Sequence, residues 1–333
     1  MLNDSDATEV LSGLDQRIVA ALQISPRAGV AEVGRILGEH ERSVSRHLQR
    51  LLDTGAVRCT AEYDRLRCGL GPTVRLRLKA PTSCLKSIVQ ELANRPDVLN
   101  VAAVGGAVGH LWCELLLESH RLLYSLTTDG IPGLPEIDVR SSHVTLRPFL
   151  TEAEWHAPVL TEEEEKRLRA SLVKPLPDSA HRYELTPTDL RVADALMKNG
   201  RISLTDLGSG LGVSTATAGR RVTALLERRV LHLRTVVDPA LLGRPVQARV
   251  RLKVHPAGLE EVGSTLAASP AVRSCVAVTG RHNLLADVCV EHETSLYSFV
   301  VDTLGALPHI LAYDTDIIRR LPPDGPAPRT APR

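Results

Sequence analysis

In the stretch STATAGRRVTALLERR, residues 214–229, the apolar positions are Ala218, Val222, Leu225 and Leu226, spaced as one face of a helix. Ser214 stands before it as N-cap. Upstream, Ser203 caps a shorter helix, SLTDLGSGL, which stops at Gly212. Before that, Thr186 or Thr188, with Pro187 beside it, opens a helix whose apolar face is Leu190, Ala193, Leu196 and Met197. LHLRTVV then reads as a strand. Three short helices with a glycine turn between the second and third, followed by a strand, predict a winged helix-turn-helix. Further on, VQARVRLKV alternates with period two, PAGLEEVGSTLAAS is an amphipathic helix, and AVRSCVAVTG and HNLLADVCVE are strands. TSLYSFVVDTLGAL is a helix and ILAYDTDIIRRL a last strand, so the order is the βαββαβ of a ferredoxin-like domain.

The first half of the chain carries the same series. LDQRIVAALQ, GVAEVGRILG and ERSVSRHLQRLLDTG are its helices, the third with the face Val44, Leu48, Leu51 and Leu52 and with Gly55 as C-cap. PTVRLRLKA, TSCLKSIVQELANR, DVLNVAAVGG, HLWCELLLES, RLLYSLTTDGI and IDVRSSHVTLRPF repeat the βαββαβ order. Sliding the sequence on itself by 174 residues aligns Asp15 with Asp189, Arg17 with Arg191, Arg27 with Arg201, Gly38 with Gly212 and Arg46 with Arg220. The offset still holds at Leu78 with Leu252, Pro96 with Pro270 and Gly106 with Gly280. The predicted fold class is therefore α+β, an internal tandem repeat of winged helix-turn-helix domains (1–62 and 185–236) alternating with ferredoxin-like sensor domains (68–150 and 244–322). Residues 151–184 read as a linker with one short helix, TEEEEKRLRASL, capped by Thr161; the Pro-rich residues 323–333 read as a disordered tail.

Composition narrows the function classes. Hydrophobic residues make up 43% of the chain and aromatic ones 3%, so its cores are built from Leu, Val, Ala and Ile. A net charge of +1 leaves nucleic-acid binding to local patches rather than to the whole surface. No stretch approaches the roughly 18 apolar residues of a membrane span. The acidic start MLNDSDATEVLSGLD has no apolar run suited to a signal peptide. The six cysteines lack C-x-x-C spacing and no Cys/His cluster has metal-ligand spacing, so they read as buried thiols of a cytoplasmic protein without metal or cofactor.

The polar face of each third helix is the candidate nucleic-acid surface. It offers Arg42, Ser43, Arg46, His47 and Arg50 in the first copy, and Ser214, Thr215, Thr217, Arg220 and Arg221 in the second. Arginine suits bidentate contact with guanine edges and phosphates. Replacing Arg220 and Arg221 by Ala is expected to weaken binding to double-stranded DNA and to leave stability nearly unchanged. The copies are unequal: Ser214 is a good N-cap, whereas Glu39 and His40 at the matching corner are poor ones, and Glu41 would face phosphates.

These features, taken together and present twice, resemble the Lrp/AsnC (feast/famine) transcriptional regulators, duplicated in one chain. The resemblance rests on the leucine or threonine before Asp15 and Asp189, the D-x-R-x-x-x-A-L pattern, Arg27 and Arg201, the helix Ser214–Leu226, and the βαββαβ domains. It implies DNA binding, dimerising sensor domains and a small-molecule effector, often an amino acid. Family members usually carry a G-x-x-D turn between the second and third sensor strands; here Gly109 and Asn283 stand where its aspartate is expected. Gly106, Gly109, His110, Gly280, Arg281, His282 and Asn283 are the effector candidates, or else plain turn residues. The two sensor domains are expected to pack within one chain as a pseudo-dimer, and the chain to pair further into a homodimer or higher oligomer. No nucleophile–base set, P-loop or dinucleotide fingerprint is present, and the reading is a regulator rather than an enzyme. Siroheme decarboxylases look like the same build, with His110 and His282 as candidates for a tetrapyrrole pocket; a ligand-sensing co-regulator with weak DNA binding is the third reading.

Overall fold

The structure, a computed structural model, describes residues 9–176 and 183–321. The tail expected at 323–333 lies outside the described residues. The first half runs α1 (Gly13–Ile24), α2 (Val30–Leu37), α3 (Glu41–Asp53), β1 (Val57–Tyr63), a short α4 (Arg65–Cys68), β2 (Thr73–Lys79), α5 (Leu85–Ala93), β3 (Val98–Val104), β4 (His110–Leu116), α6 (His120–Thr128) and β5 (Asp138–Leu150). The linker helix α7 (Glu162–Ala170) has the predicted Thr161 cap, closed by Glu164 into a capping box. The second half repeats the order: α8 (Pro187–Lys198), α9 (Leu204–Leu211), α10 (Thr215–Glu227), β6 (Leu231–Val237), β7 (Val246–Val254), α11 (Leu259–Ala267), β8 (Val272–Val278), β9 (Leu284–Val290), α12 (Glu293–Ser298) and β10 (Ile310–Leu321). A 3-10 turn, Pro239–Leu242, takes the place of α4, and α12 runs on into a π-helical turn, Phe299–Leu304.

Each helix-turn-helix turns over a glycine. A Cβ on Gly34 would lie 2.8 Å from the Glu39 carbonyl, and one on Gly208, its equivalent, 2.9 Å from that of Val213. Only a residue without a side chain lets the turn cross the second helix so closely.

The wing strands pair with each other. Each copy supplies one strand, and β1 pairs antiparallel with β6 across the two copies, from Val57↔Val237 to Tyr63↔Leu231. The reason is local. Asp64 and Asp238 cap helical turns directly after the strands, so neither chain folds back on itself. Thr60 faces Arg234, its own equivalent at the 174-residue offset, which places a pseudo-two-fold axis through that pair. Arg27 Nη1 and Nη2 donate to the carbonyls of Gly200 and Ile202, and Arg201 reciprocally to those of Pro26 and Ala28, all at 2.7–2.9 Å. Two guanidinium forks thus bolt the helical domains together.

The two βαββαβ sheets also meet, edge to edge. Their strands form one closed barrel, β10-β3-β4-β2-β5-β8-β9-β7. Closure comes from the long last strand of each copy. β5 pairs with β2 through Val144 and with β8 from Thr145 onward; β10 pairs with β7 through Ile317 and with β3 from Ile318 onward. The barrel itself has no free edge for unwanted pairing. The period-two pattern sorts the faces. Val74, Leu76 and Leu78 of β2 and Ala248, Val250 and Leu252 of β7 join the apolar clusters under the helices. The alternate residues Arg75, Arg77, Arg249 and Arg251 therefore point into the barrel.

Candidate functional site

α3 and α10 present the sequence-predicted residues unequally. In α10 the Ser214 hydroxyl accepts from the Thr217 amide, and Thr215 and Arg220 are exposed. Arg220 Nη2 reaches the Thr217 hydroxyl at 3.3 Å and is tied to no carboxylate among the described residues. In α3 the N-cap His40 makes no side-chain cap bond, while Arg42 and Arg46 are exposed and Ser43 is half-buried.

His47, Arg50 and Arg221 have a second task that the sequence reading missed. Asp15 is 1% exposed, with His47 Nδ1 2.7 Å from its Oδ1 and Arg50 Nη2 donating to its Oδ2 at 2.6 Å. Hydrogen bonds from Ser12, His47 and Arg50 outweigh burial and lower the Asp15 pKa below the usual carboxylate range. Asp189, equally buried, receives Tyr183 and Thr186 and lies 3.8 Å from Arg221. The aspartate of D-x-R thus fastens the third helix onto the first. The arginine fastens the second: Arg17 donates to the Leu37 carbonyl and Arg191 to that of Gly210. Arg221 is therefore not a free surface residue, and the expectation of nearly unchanged stability holds only for Arg220.

The end of α10 carries another asymmetry. Arg229 has φ 52°, whereas its equivalent Gly55 has φ 70°. A side chain in the left-handed region costs about 1 kcal/mol or more. Arg229→Gly is expected to raise unfolding stability by a few tenths to about 1 kcal/mol, the gain offset in part by glycine's freer unfolded state. Chemical denaturation of the two proteins measures it.

Inside the barrel the charges form a network. Arg249 makes a bidentate pair with Asp287 at 2.7 and 2.8 Å and stacks 4.9 Å from the Trp112 ring. Arg320 bridges Asp287 to Glu152, and Arg273 and Arg234 reach the same Glu152. Arg75 pairs with Glu114, and Arg77 and Arg251 approach Asp316, which also accepts from Trp112 Nε1. The neighbouring arginines hold the Asp287 carboxyl at about 2 despite full burial.

The effector candidates divide. Asn283 is engaged, its side-chain amide bonding both the N–H and the carbonyl of Val254. Gly109, at φ 77°, lies where a Cβ would stand 2.4 Å from the Ala80 carbonyl, so no aspartate fits this backbone. Gly106 and Gly280 shape the two turns, with φ of 77° and 108°, and Arg281 is exposed. His110 and His282, from separate copies, both feel Asp316, and His282 Nε2 lies 3.1 Å from Asp314. His110 Nδ1 is buried with no hydrogen-bond partner among the described residues. His143, unnoticed in the sequence, sits at the same end with Nδ1 3.0 Å from the Thr279 carbonyl.

Burial lowers the pKa of His110, His143 and His282, favouring the neutral imidazole in the fold. The unfolded chain then binds more protons once pH falls below the ordinary value of about 6.5. Stability should be full above that value and decline as pH drops from 7 towards 5. Below pH 4 the carboxylates Asp15 and Asp287, whose pKa values the fold depresses, add a further loss. Urea unfolding at pH 7.5, 6 and 5 reads the first decline.

Among known proteins, residues 185–226 match the AsnC-type helix-turn-helix domain and residues 246–327 the Lrp/AsnC ligand binding domain. The chain is 25% identical over 138 residues to the HTH-type transcriptional regulator FL11 of Pyrococcus horikoshii, covering 41% of this chain and 91% of that one. It is 29% identical over 133 residues to the leucine-responsive regulatory protein of Rhizobium meliloti, covering 39% and 85%. Over 92% of its length the chain is similar in fold to the crystal structure of the siroheme decarboxylase NirDL, with TM-score 0.56, 15% identity and coverage of 91% of that chain. No helix among the described residues is long and apolar enough to cross a membrane. In the second half of the chain a stretch similar to the AsnC-type helix-turn-helix domain is thus followed by one similar to the Lrp/AsnC ligand binding domain.

Proposed function

We propose that the chain is a sequence-specific DNA-binding regulator in which a duplicated unit does within one polypeptide what two subunits do in a dimer. The observation that carries this reading is the pseudo-two-fold joint. The β1–β6 ribbon and the reciprocal Arg27 and Arg201 forks fix two helix-turn-helix domains against each other, with Arg46 and Arg220 exposed at equivalent places. Rigid presentation of two such helices suits two half-sites about one turn of DNA apart, roughly 34 Å. The uncapped α3 and the capped α10 make those half-sites unequal, so the operator is an imperfect palindrome read more strictly by α10.

Signal reception belongs to the sensor barrel, and the ligand is a small metabolite. The likeness to NirDL is one of fold and brings no decarboxylation with it. Fluorescence anisotropy against genomic fragments tests the DNA reading. Affinity should fall with salt at a log–log slope of about −0.9 per phosphate neutralised. A flat response between low and moderate salt would remove the phosphate contacts on which the reading depends.

A further inference from the structure

A cavity of about 1020 Å³ separates the β1–β6 ribbon from the mouth of the barrel. Glu62, Tyr63 and Arg234 line it from the ribbon, Glu152 from the segment after β5, and Arg75, Arg273 and Arg320 from the barrel. At its floor three guanidinium groups converge on the one carboxylate of Glu152. Two of them have a second acid: Arg234 pairs with Glu62 at 2.6 Å and Arg320 with Asp287 at 2.9 Å.

Arg273 has no second acid among the described residues. It is only 7% exposed, and its one carboxylate is Glu152 at 3.4 Å, beyond a strong hydrogen bond. Its Nε, like those of Arg234 and Arg320, has no hydrogen-bond partner among the described residues, and its guanidinium carbon lies 5.8 Å from the Trp155 ring. Across this network Arg75, Arg234, Arg249, Arg273 and Arg320 face Glu62, Glu114, Glu152 and Asp287, which among the described residues leaves one positive charge unanswered. A buried cation in that state is costly unless an anion joins it. Burial also lowers the Arg273 pKa, as expected for a charge that its surroundings do not fully repay.

We propose that this cleft is the effector site, and that it takes a small organic carboxylate which binds the Arg273 guanidinium in competition with Glu152. The site lies away from the glycine turns at 106–110 and 280–283. It also explains how binding is felt by DNA. Arg234 belongs to the ribbon that joins both helix-turn-helix domains, and it shares Glu152 with Arg273 and Arg320. A carboxylate on Arg273 frees Glu152 from one of its three holds and changes the grip of the barrel on the ribbon. The coupling to DNA rests on the regulator reading above; the anion site itself does not.

The test uses the full chain and sodium citrate as probe, with sodium chloride at matched ionic strength as control. Citrate should raise the melting temperature of the parent beyond chloride. Glu152→Gln removes the internal competitor and should tighten citrate binding, measured by calorimetry. Arg273→Met should weaken it by about tenfold or more, the loss expected of a charge-assisted hydrogen bond. Opposite signs from the two variants are not expected if the groups only hold the fold together. Equal effects of citrate and chloride on the parent and on Glu152→Gln would overturn the proposal, even if Arg273→Met does not fold. DNA affinity measured without citrate separates the two readings: DNA binding with no citrate response discards the cleft alone, and citrate binding without DNA binding discards the regulator alone.

Discussion

Asp287→Ala should lower the unfolding free energy by about 3–5 kcal/mol, the usual cost of removing one partner from a buried ion pair. Asp287 lies inside the barrel, receives both arms of Arg249, and also meets Arg320. Its removal leaves two buried guanidinium groups with less countercharge than before. The depressed pKa of the carboxyl, about 2 against an ordinary 3.8, points the same way, corresponding to about 2 kcal/mol at neutral pH. Adding Arg249→Met should recover part of the loss, because the second change removes a charge that the first has stranded. Guanidinium unfolding of the three proteins gives the coupling; simple addition of the two single effects would show that the pair is not a unit.

Arg220→Ala should weaken operator binding by about tenfold to a hundredfold, within the 1–3 kcal/mol typical of a lost base contact. Its stability should stay within about 0.5 kcal/mol of the parent, since the side chain is exposed and, among the described residues, bonded only to Thr217. Arg221→Ala is the informative contrast. It should lose both affinity and stability, because Arg221 answers the buried Asp189. Arg46→Ala should cost less affinity than Arg220→Ala, the uncapped α3 being the weaker reader. Anisotropy titrations beside thermal melts separate these cases, and an Arg220 variant that binds as the parent does would remove α10 from the interface.

The helices were legible because their signals are local. Apolar spacing, the Thr161 and Ser214 caps and the glycine turns act within a few residues, and the structure has them where the pattern places them. The 174-residue offset carried further, since equivalent residues such as Arg27 and Arg201 turn out to make reciprocal bonds. Barrel closure was not legible. Whether Thr145–Leu150 continues in its own sheet or pairs with β8 depends on contacts more than a hundred residues away. The partner of each wing strand was hidden for the same reason, as β1 pairs with β6 of the other half.

The buried charges were hidden by a rule of thumb. R-x-R in β2 and β7 looks like the wet side of an alternating strand, yet Arg75 and Arg249 are buried inside the barrel. Two copies of that pattern facing each other, with Asp287 and Glu114 to receive them, were the available signal. Gly109 and Asn283 were read through the family's turn. The structure gives them backbone reasons instead, a carbonyl in the way of a Cβ and an amide tied to Val254.

If one chain presents two unequal recognition helices to one duplex, its footprint on DNA should be two-part and lopsided. Selecting genomic fragments with the purified full-length protein and footprinting the bound ones tests it most directly. Two unequal half-sites about one helical turn, or a multiple of it, apart should be protected, with the stricter half lost in Arg220→Ala and the weaker half in Arg46→Ala. Fragments no more enriched than bulk DNA, or a footprint that both variants leave intact, would contradict it.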